Sequence, residues 1–286
     1  MAMTLVVMAA GKGSRFGGMK QVAEIGPSGE ALFDYAVYDA TRAGFERAVF
    51  VVSEESQGAI RAQVEKGCGR HVEVRYVLQG SDGRPKPWGT GHAVLCACRE
   101  VDGPFGVVNA DDFYGRRSFE LLGQELGGSG AGPVDHRCIA FHLRETLSPN
   151  GGVSRGLCEV DDGILTSIVE LHEVQETEGR VTCREGLDLT GDELISANLW
   201  GFQLSFCSVL AAEFDHFVAD RGDDHSAEFM IGDAVDVLER YGDERVRVVP
   251  TPERFLGITY AADVASVREN VAALVADGRY PSPLWG

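Results

Sequence analysis

The segment from Leu5 to Gln21, LVVMAAGKGSRFGGMKQ, constrains this chain more than any other. Leu5, Val6, Val7 and Met8 form a continuous apolar run without the alternation of a half-exposed strand, which predicts a strand buried on both faces, as in a parallel sheet covered by helices. Gly11, Gly13, Gly17 and Gly18 follow, and a loop with so few side chains can turn backbone N–H groups inward around anionic oxygens. Arg15 and Lys20 place a bidentate fork and a point charge beside it. A polyphosphate cradle and a plain glycine turn are the two alternatives, and the pair of cations favours the first. Two well-known phosphate loops do not fit. AGKGSR lacks the GxxxxGK[ST] spacing, and the dinucleotide pattern GxGxxG would place Phe16 at its third glycine, with Glu54 and Glu55 too far downstream to hold a ribose.

Further along, apolar runs alternate with amphipathic segments, the pattern of a mostly parallel sheet with helices on both faces. Strands are predicted at Thr4–Ala9, Ala48–Val52, Val72–Leu78 and Phe105–Val108. Helices are predicted at Leu32–Ala43, Glu55–Lys66, Thr90–Arg99 and Ser118–Leu126. Functional groups should gather where the strands end, near Ala9, Gln79 and Asp111. From about Arg137 the texture becomes short strands between turns, which predicts an antiparallel insertion, and helices return at Ser208–Phe217, Ala227–Tyr241 and Ala261–Ala276. At 286 residues and 44% hydrophobic, the chain can fill a single large domain.

The glycine loop and several downstream segments are similar to the sugar-phosphate nucleotidyltransferase family, whose first strand runs into AAGxGxR and then a KQ pair. Here Ala9, Ala10, Gly11, Gly13, Ser14 and Arg15 are followed by Lys20 and Gln21. GTGHAV at Gly89–Val94, with Gln79 before it, and VVNADDFYG at Val107–Gly115 resemble the family's base-binding and metal-binding segments. SRGLCEV, ILTSIVE and SANLWGF resemble its sugar-binding strands. The resemblance implies an α/β fold: a three-layer α/β/α, Rossmann-like (GT-A-like) architecture with a mixed central sheet and a small antiparallel insertion. It implies one domain over 1–286, with a nucleotide-binding half to about residue 135 and an acceptor-binding half beyond.

The activity implied is Mg²⁺-dependent transfer of a nucleoside monophosphate from an NTP, UTP or dTTP favoured, to a sugar 1-phosphate, with release of pyrophosphate. Its nucleophile is already an anion, so no general base is required, in keeping with a chain that offers no Ser/His/Asp or Cys/His constellation. Charge neutralisation and in-line positioning carry such a reaction. The resemblance assigns Ala9, Ala10, Gly11, Gly13 and Ser14 to the triphosphate, Arg15 to its β and γ oxygens and Lys20 to the reacting phosphates. It assigns Gln79, Gly89 and Thr90 to the nucleotide, with the Gln79 amide donating and accepting at a uracil or thymine edge. Asp111 becomes a Mg²⁺ ligand, with Asp112 as its less favoured neighbour, and Gly156, Glu170 and Asn198 contact the acceptor.

Two departures bear on substrate and metal. Leu171 stands where a phosphate-contacting lysine often follows the glutamate. The segment Phe255–Tyr260 offers no second carboxylate, leaving Thr259 as the nearest oxygen, or Asp263 as a substitute. A cytidylyltransferase acting on phosphocholine and a catalytically impaired regulatory protein therefore stay open as alternatives.

The formal net charge of −18 argues against nucleic acid or an anionic membrane as partner. The N-terminal apolar run lacks the flanks of a signal peptide, so the expected location is cytoplasmic, with an oligomer possible. Seven cysteines without metal-binding spacing are expected to be reduced and mostly buried. Trp200 and His92 are expected to be structural.

Overall fold

The computed structural model describes residues 2–11, 16, 18–81, 83–128, 136–241 and 244–286. Its elements run β1 (Met3–Met8), α1 (Leu32–Arg42), β2 (Phe45–Val52), α2 (Gln57–Lys66), β3 (Glu73–Leu78), α3 (Thr90–Ala97), β4 (Phe105–Asn109), β5 (Asp112–Phe113) and α4 (Arg116–Gly127). They continue as β6 (His136–His142), β7 (Val153–Asp161), β8 (Ile164–Thr177), β9 (Arg180–Thr182), β10 (Leu194–Phe202), α5 (Phe206–Arg221), α6 (Ile231–Val235), β11 (Val246–Pro250), β12 (Leu256–Gly257) and α7 (Asp263–Ala276).

Among the described residues, one mixed sheet orders its strands β3-β2-β1-β4-β10-β6-β11-β8-β7, with β9 added to β8. The first four are parallel, whereas β10 runs antiparallel to both β4 and β6. The antiparallel strands predicted from residue 137 onward thus continue the central sheet edge to edge, ending in the β7–β8 hairpin.

The apolar run of β1 is buried on both sides. Leu5, Val7 and Ala9 pack into one core with Phe33 and Val37 of α1, Ile60 and Val64 of α2, and Phe119 and Leu122 of α4. Val6 and Met8 face the other core, beneath Ala93 and Val94 of α3, Val209 and Leu210 of α5, and Ile231 and Ala234 of α6. Period-2 alternation between two apolar layers is what a central strand needs. Val267 and Val271 of α7 join Leu32 and Tyr35 of α1, Tyr280 and Leu284 in a third cluster, which accounts for the helical spacing of the α7 valines. Trp200 is a core residue, 1% exposed.

Cys98 and Cys207 are joined by a disulfide that ties the turn after α3 to the start of α5. This corrects the expectation of seven reduced thiols: the two cysteines are 109 residues apart, and only the packing of α3 on α5 brings them together. Unfolded, unreduced protein should therefore titrate the five remaining thiols. A titre of seven would contradict the bond.

Two carboxylates on α1 are buried. Asp34 accepts hydrogen bonds from the Ala31 N–H and the Gln63 amide, each at 2.9 Å, and Asp39 accepts one from the Tyr280 hydroxyl at 2.6 Å. Burial nevertheless outweighs these bonds and raises Asp34 to about 6 and Asp39 to about 7. The Arg116 Nε lies 3.6 Å from Asp39 and makes no hydrogen bond to it, so the pairing compensates only part of the desolvation.

With folded pKa values above the unfolded ones, the native state holds more protons between pH 4 and 7, and stability falls as pH rises through that window. The melting temperature should decline from pH 5 to pH 8, and Asp39→Asn should flatten the decline. Parallel profiles for the two proteins would contradict this origin.

Candidate active site

The C-terminal ends of β1, β3 and β4 open onto a cleft of about 710 Å³. The edge of a parallel sheet is where such folds bind ligands. Ala10 and Gly11 follow β1, Gln79 follows β3, and Asn109 and Asp111 lie at and just beyond the end of β4; all line the cleft, with Lys20, Gly89, Thr90 and Thr259. Ala9 is buried behind them, its N–H bonded to Val51 O at 2.8 Å, so it shapes the wall from within the sheet. Gly13, Ser14 and Arg15 lie outside the described residues.

Lys20 and Gln21 sit in one 3-10 turn, Lys20–Val22, and tie it to two different strand ends. The Gln21 amide donates to Gly11 O at 2.6 Å, holding the start of the glycine loop. The Lys20 ammonium pairs with Asp111 Oδ2 and donates to Ile258 O at 3.2 Å. A lysine and an aspartate 91 positions apart thus meet on the cleft floor.

The glycine at 89 is required by its surroundings. Its φ is +106°, and a Cβ there would lie 2.8 Å from Phe229 N and closer still to Phe229 O. Gln79 is nearly buried, at 7% exposed, and its Nε2 donates to Gly89 O at 2.9 Å and reaches His92 Nδ1 at 3.4 Å. The expectation that this amide both donates and accepts toward a base needs correction: its N–H groups are engaged within the protein.

Asp111 and Asp112, adjacent in sequence, open to different spaces. Asp111 lines the cleft just described, whereas Asp112 lines a second chamber of about 580 Å³ that also touches Thr90, Asn109, Glu228 and Met230. Asp112 accepts a hydrogen bond from Asn109 Nδ2 at 2.8 Å, and burial, reinforced by the neighbouring Asp111, pushes its carboxyl up to about 7.

Gly156, Glu170 and Asn198 all line this second chamber. Gly156 pairs with Glu170 across β7 and β8, and with Ser196 of β10. Burial raises the Glu170 carboxyl above its ordinary range. Asn198 sits in an irregularity of the β10–β6 register between Ser196 and Trp200, at φ +62°, and its Oδ1 accepts from the Trp200 indole at 3.3 Å.

Strand parity explains Leu171. The residue after Glu170 faces the opposite side of the sheet, where Leu171 is fully buried in the core. The cation of this chamber is one the sequence did not disclose. Arg155, beside Gly156, donates to Thr146 Oγ1 at 3.0 Å and Ser154 O at 2.8 Å, also bonds Thr146 O, and lies over the Phe255 ring. Asn109, shared by both chambers, was likewise missed; its signal was its place at the end of the VVN strand.

The segment around Thr259 also becomes explicable. A Cβ on Gly257 would stand 2.8 Å from Asp112 Oδ1, so no carboxylate side chain fits there. Asp263 does not substitute. Its carboxylate is 3% exposed and accepts from Ser148 Oγ, Asn150 Nδ2 and the N–H groups of Thr259 and Tyr260 at 2.7–2.9 Å, so it holds the Thr259 loop in place.

Among the described residues, no group of three His, Cys, Asp or Glu side chains is arranged around a metal position. Among the described residues, Asp111 and Glu228 are the carboxylates that line the first cleft, with Thr259 in the same wall; Asp111 stands beside Lys20, and Glu228 pairs with Lys86. Such a sparse set fits Mg²⁺, an ion that keeps several waters and takes other ligands from phosphates.

Residues 5–124 match the family model of the MobA-like NTP transferase domain. The bifunctional protein GlmU of Corynebacterium jeikeium is 26% identical over 185 residues, covering 63% of this chain and 35% of that one, so the chain spans about a third of the length of this relative. Two solved structures superimpose over nearly the whole chain. A protein assigned as a glucose-1-phosphate thymidylyltransferase from Bacillus anthracis, in complex with a sucrose, matches with a TM-score of 0.65 and 12% identity, covering 94% of this chain and 95% of that one. The inositol-1-phosphate CTP transferase from T. maritima matches with a TM-score of 0.65 and 14% identity, covering 95% of this chain and 97% of that one. At these identities the structural likeness establishes the shared α/β fold.

Proposed function

We propose that this chain, a nucleotidyltransferase-family protein through its match over residues 5–124, transfers a nucleoside monophosphate from an NTP to a sugar 1-phosphate and releases pyrophosphate. The observation that carries the proposal is the meeting of Lys20 and Asp111 in the first of two chambers, which share Thr90, Asn109, Glu228 and Met230 with each other. The first chamber takes the nucleotide along Ala10, Gly11, Gln79, Gly89 and Thr90. The second takes the acceptor on Gly156, Glu170 and Asn198.

The acceptor phosphate is itself the nucleophile: one of its oxygens bonds to the α-phosphorus as the bond to the bridging oxygen breaks, and pyrophosphate leaves with that electron pair. Lys20 neutralises charge on the reacting phosphates. At rest it is paired with Asp111, so the ammonium is already positioned when the anions arrive. Mg²⁺, held by Asp111 and the Thr259 oxygen, would neutralise the equatorial and leaving oxygens. Arg15 is proposed at the β and γ phosphates from its place in the glycine loop.

The composition of the second chamber favours a sugar. Glu170, Asn198, Ser154 and Ser196 offer donors and acceptors to hydroxyls, whereas its aromatic lining among the described residues is Trp200 and Phe255, with the Trp200 indole already bonded to Asn198. A quaternary ammonium would want several rings around it. Incubation with UTP, dTTP or CTP and a set of sugar 1-phosphates, followed by mass spectrometry, tests the proposal. A nucleotide sugar should accumulate. A nucleotide-choline product instead would reassign the acceptor, and a nucleoside diphosphate would reassign the bond that breaks.

A further inference from the structure

We infer that His92 is a positioning residue for nucleotide selection, because it locks the Gln79 amide so that only the carbonyl oxygen faces the base. The inference rests on the first chamber being the nucleotide site. Gly89 O can only accept, so the Gln79 atom at 2.9 Å from it must be the amide nitrogen, and the opposite flip would set two carbonyl oxygens against each other. The second amide proton points to His92 Nδ1 at 3.4 Å, which requires the lone pair on that nitrogen and places the ring proton on Nε2, 3.5 Å from Cys96 Sγ.

The ring cannot easily turn away. It stacks on Phe214 of α5 with centroids 4.7 Å apart and planes 21° off parallel, and the Trp88 ring stands edge-on beside it. Gln79 is more than nine-tenths buried, yet its Oε1 is not sealed from solvent, and among the described residues nothing donates to it. Since Gln79 lines the cleft, this unmade hydrogen bond, an acceptor, is assigned to the nucleotide. A pyrimidine that meets this acceptor with its ring N3 must answer with a donor, which uracil and thymine supply as an imide N–H and cytosine, whose N3 is itself an acceptor, does not. Removing the Nδ1 acceptor would release the amide to rotate and to offer N–H instead, so bases with the wrong edge would be admitted.

The test compares wild type with His92→Phe, which keeps the stacked ring and loses the acceptor, and His92→Asn, whose Oδ1 falls near the position of Nδ1. Dissociation constants for UTP, CTP, ATP and GTP are measured by calorimetry with Mg²⁺ and no acceptor, alongside inorganic tripolyphosphate. The spread between the tightest and weakest nucleotide should shrink about threefold to tenfold in His92→Phe, the value of one neutral hydrogen bond, and be restored in His92→Asn. Tripolyphosphate should bind all three proteins alike. An unchanged spread in His92→Phe, or a loss that Asn does not restore, would overturn the positioning role. Failure of wild type to bind any nucleotide would instead remove the premise that this chamber is the nucleotide site, and the inference with it.

Discussion

Lys20→Ala should lower turnover by about 10²–10³-fold, the usual cost of removing one preorganised charge or donor from a site where transition-state charge develops. Lys20 meets Asp111 in the first chamber, and no other described lysine or arginine bonds that carboxylate. Folding should hardly notice the change. The pair is partly exposed, with side chains at 21% and 15%, and water in the cleft can solvate Asp111 once the lysine is gone, so the expected loss is about 1 kcal/mol. Steady-state kinetics and a urea unfolding curve on the same preparation separate the two effects. Near-normal turnover with intact folding would remove Lys20 from the chemistry.

Gly89→Ala should be the most damaging single-methyl addition at the site. The residue holds φ at +106°, its added Cβ would press on the Phe229 backbone, and its carbonyl receives the Gln79 amide. The same neighbourhood carries two backbone bonds, Gly91 N–H to Phe229 O at 2.9 Å and Phe229 N–H to Trp88 O at 2.6 Å, so the clash cannot be relieved without losing them. Strain at positive φ and overpacking together should destabilise by about 2–5 kcal/mol. Nucleotide affinity should fall as well, because Gln79 and the first turn of α3 move with Gly89. Chemical denaturation and a UTP titration test both parts. Wild-type stability would show that the loop can reshape around a side chain.

The parallel half of the sheet was legible because its strands are apolar on both faces and its helices amphipathic. β1, α1 and β4 fall within a residue or so of their predicted ends. The helix predicted for Ala227–Tyr241 shrank to α6 and a short 3-10 turn, since Phe229 is held in extended backbone contact with Trp88 and Gly91 before the helix can begin. Tertiary bonds there override local propensity.

At the site, the sequence pointed to residues at strand ends and could not report orientation. It could not show that the donors of Gln79 turn inward, that Asp263 spends its carboxylate on the Thr259 loop, or that Arg155 reaches the second chamber from β7. Each depends on contacts between segments far apart in the chain.

The central claim, transfer of a nucleotidyl group onto a phosphate monoester, is tested most directly by pyrophosphate release over a matrix of nucleoside triphosphates and phosphate monoesters, with Mg²⁺ present or chelated. Release should require both substrates and the metal, and at least one sugar 1-phosphate should support it. Absence of release with every pair, from protein that still binds nucleotide, would contradict the claim and leave a nucleotide-binding regulatory protein in its place.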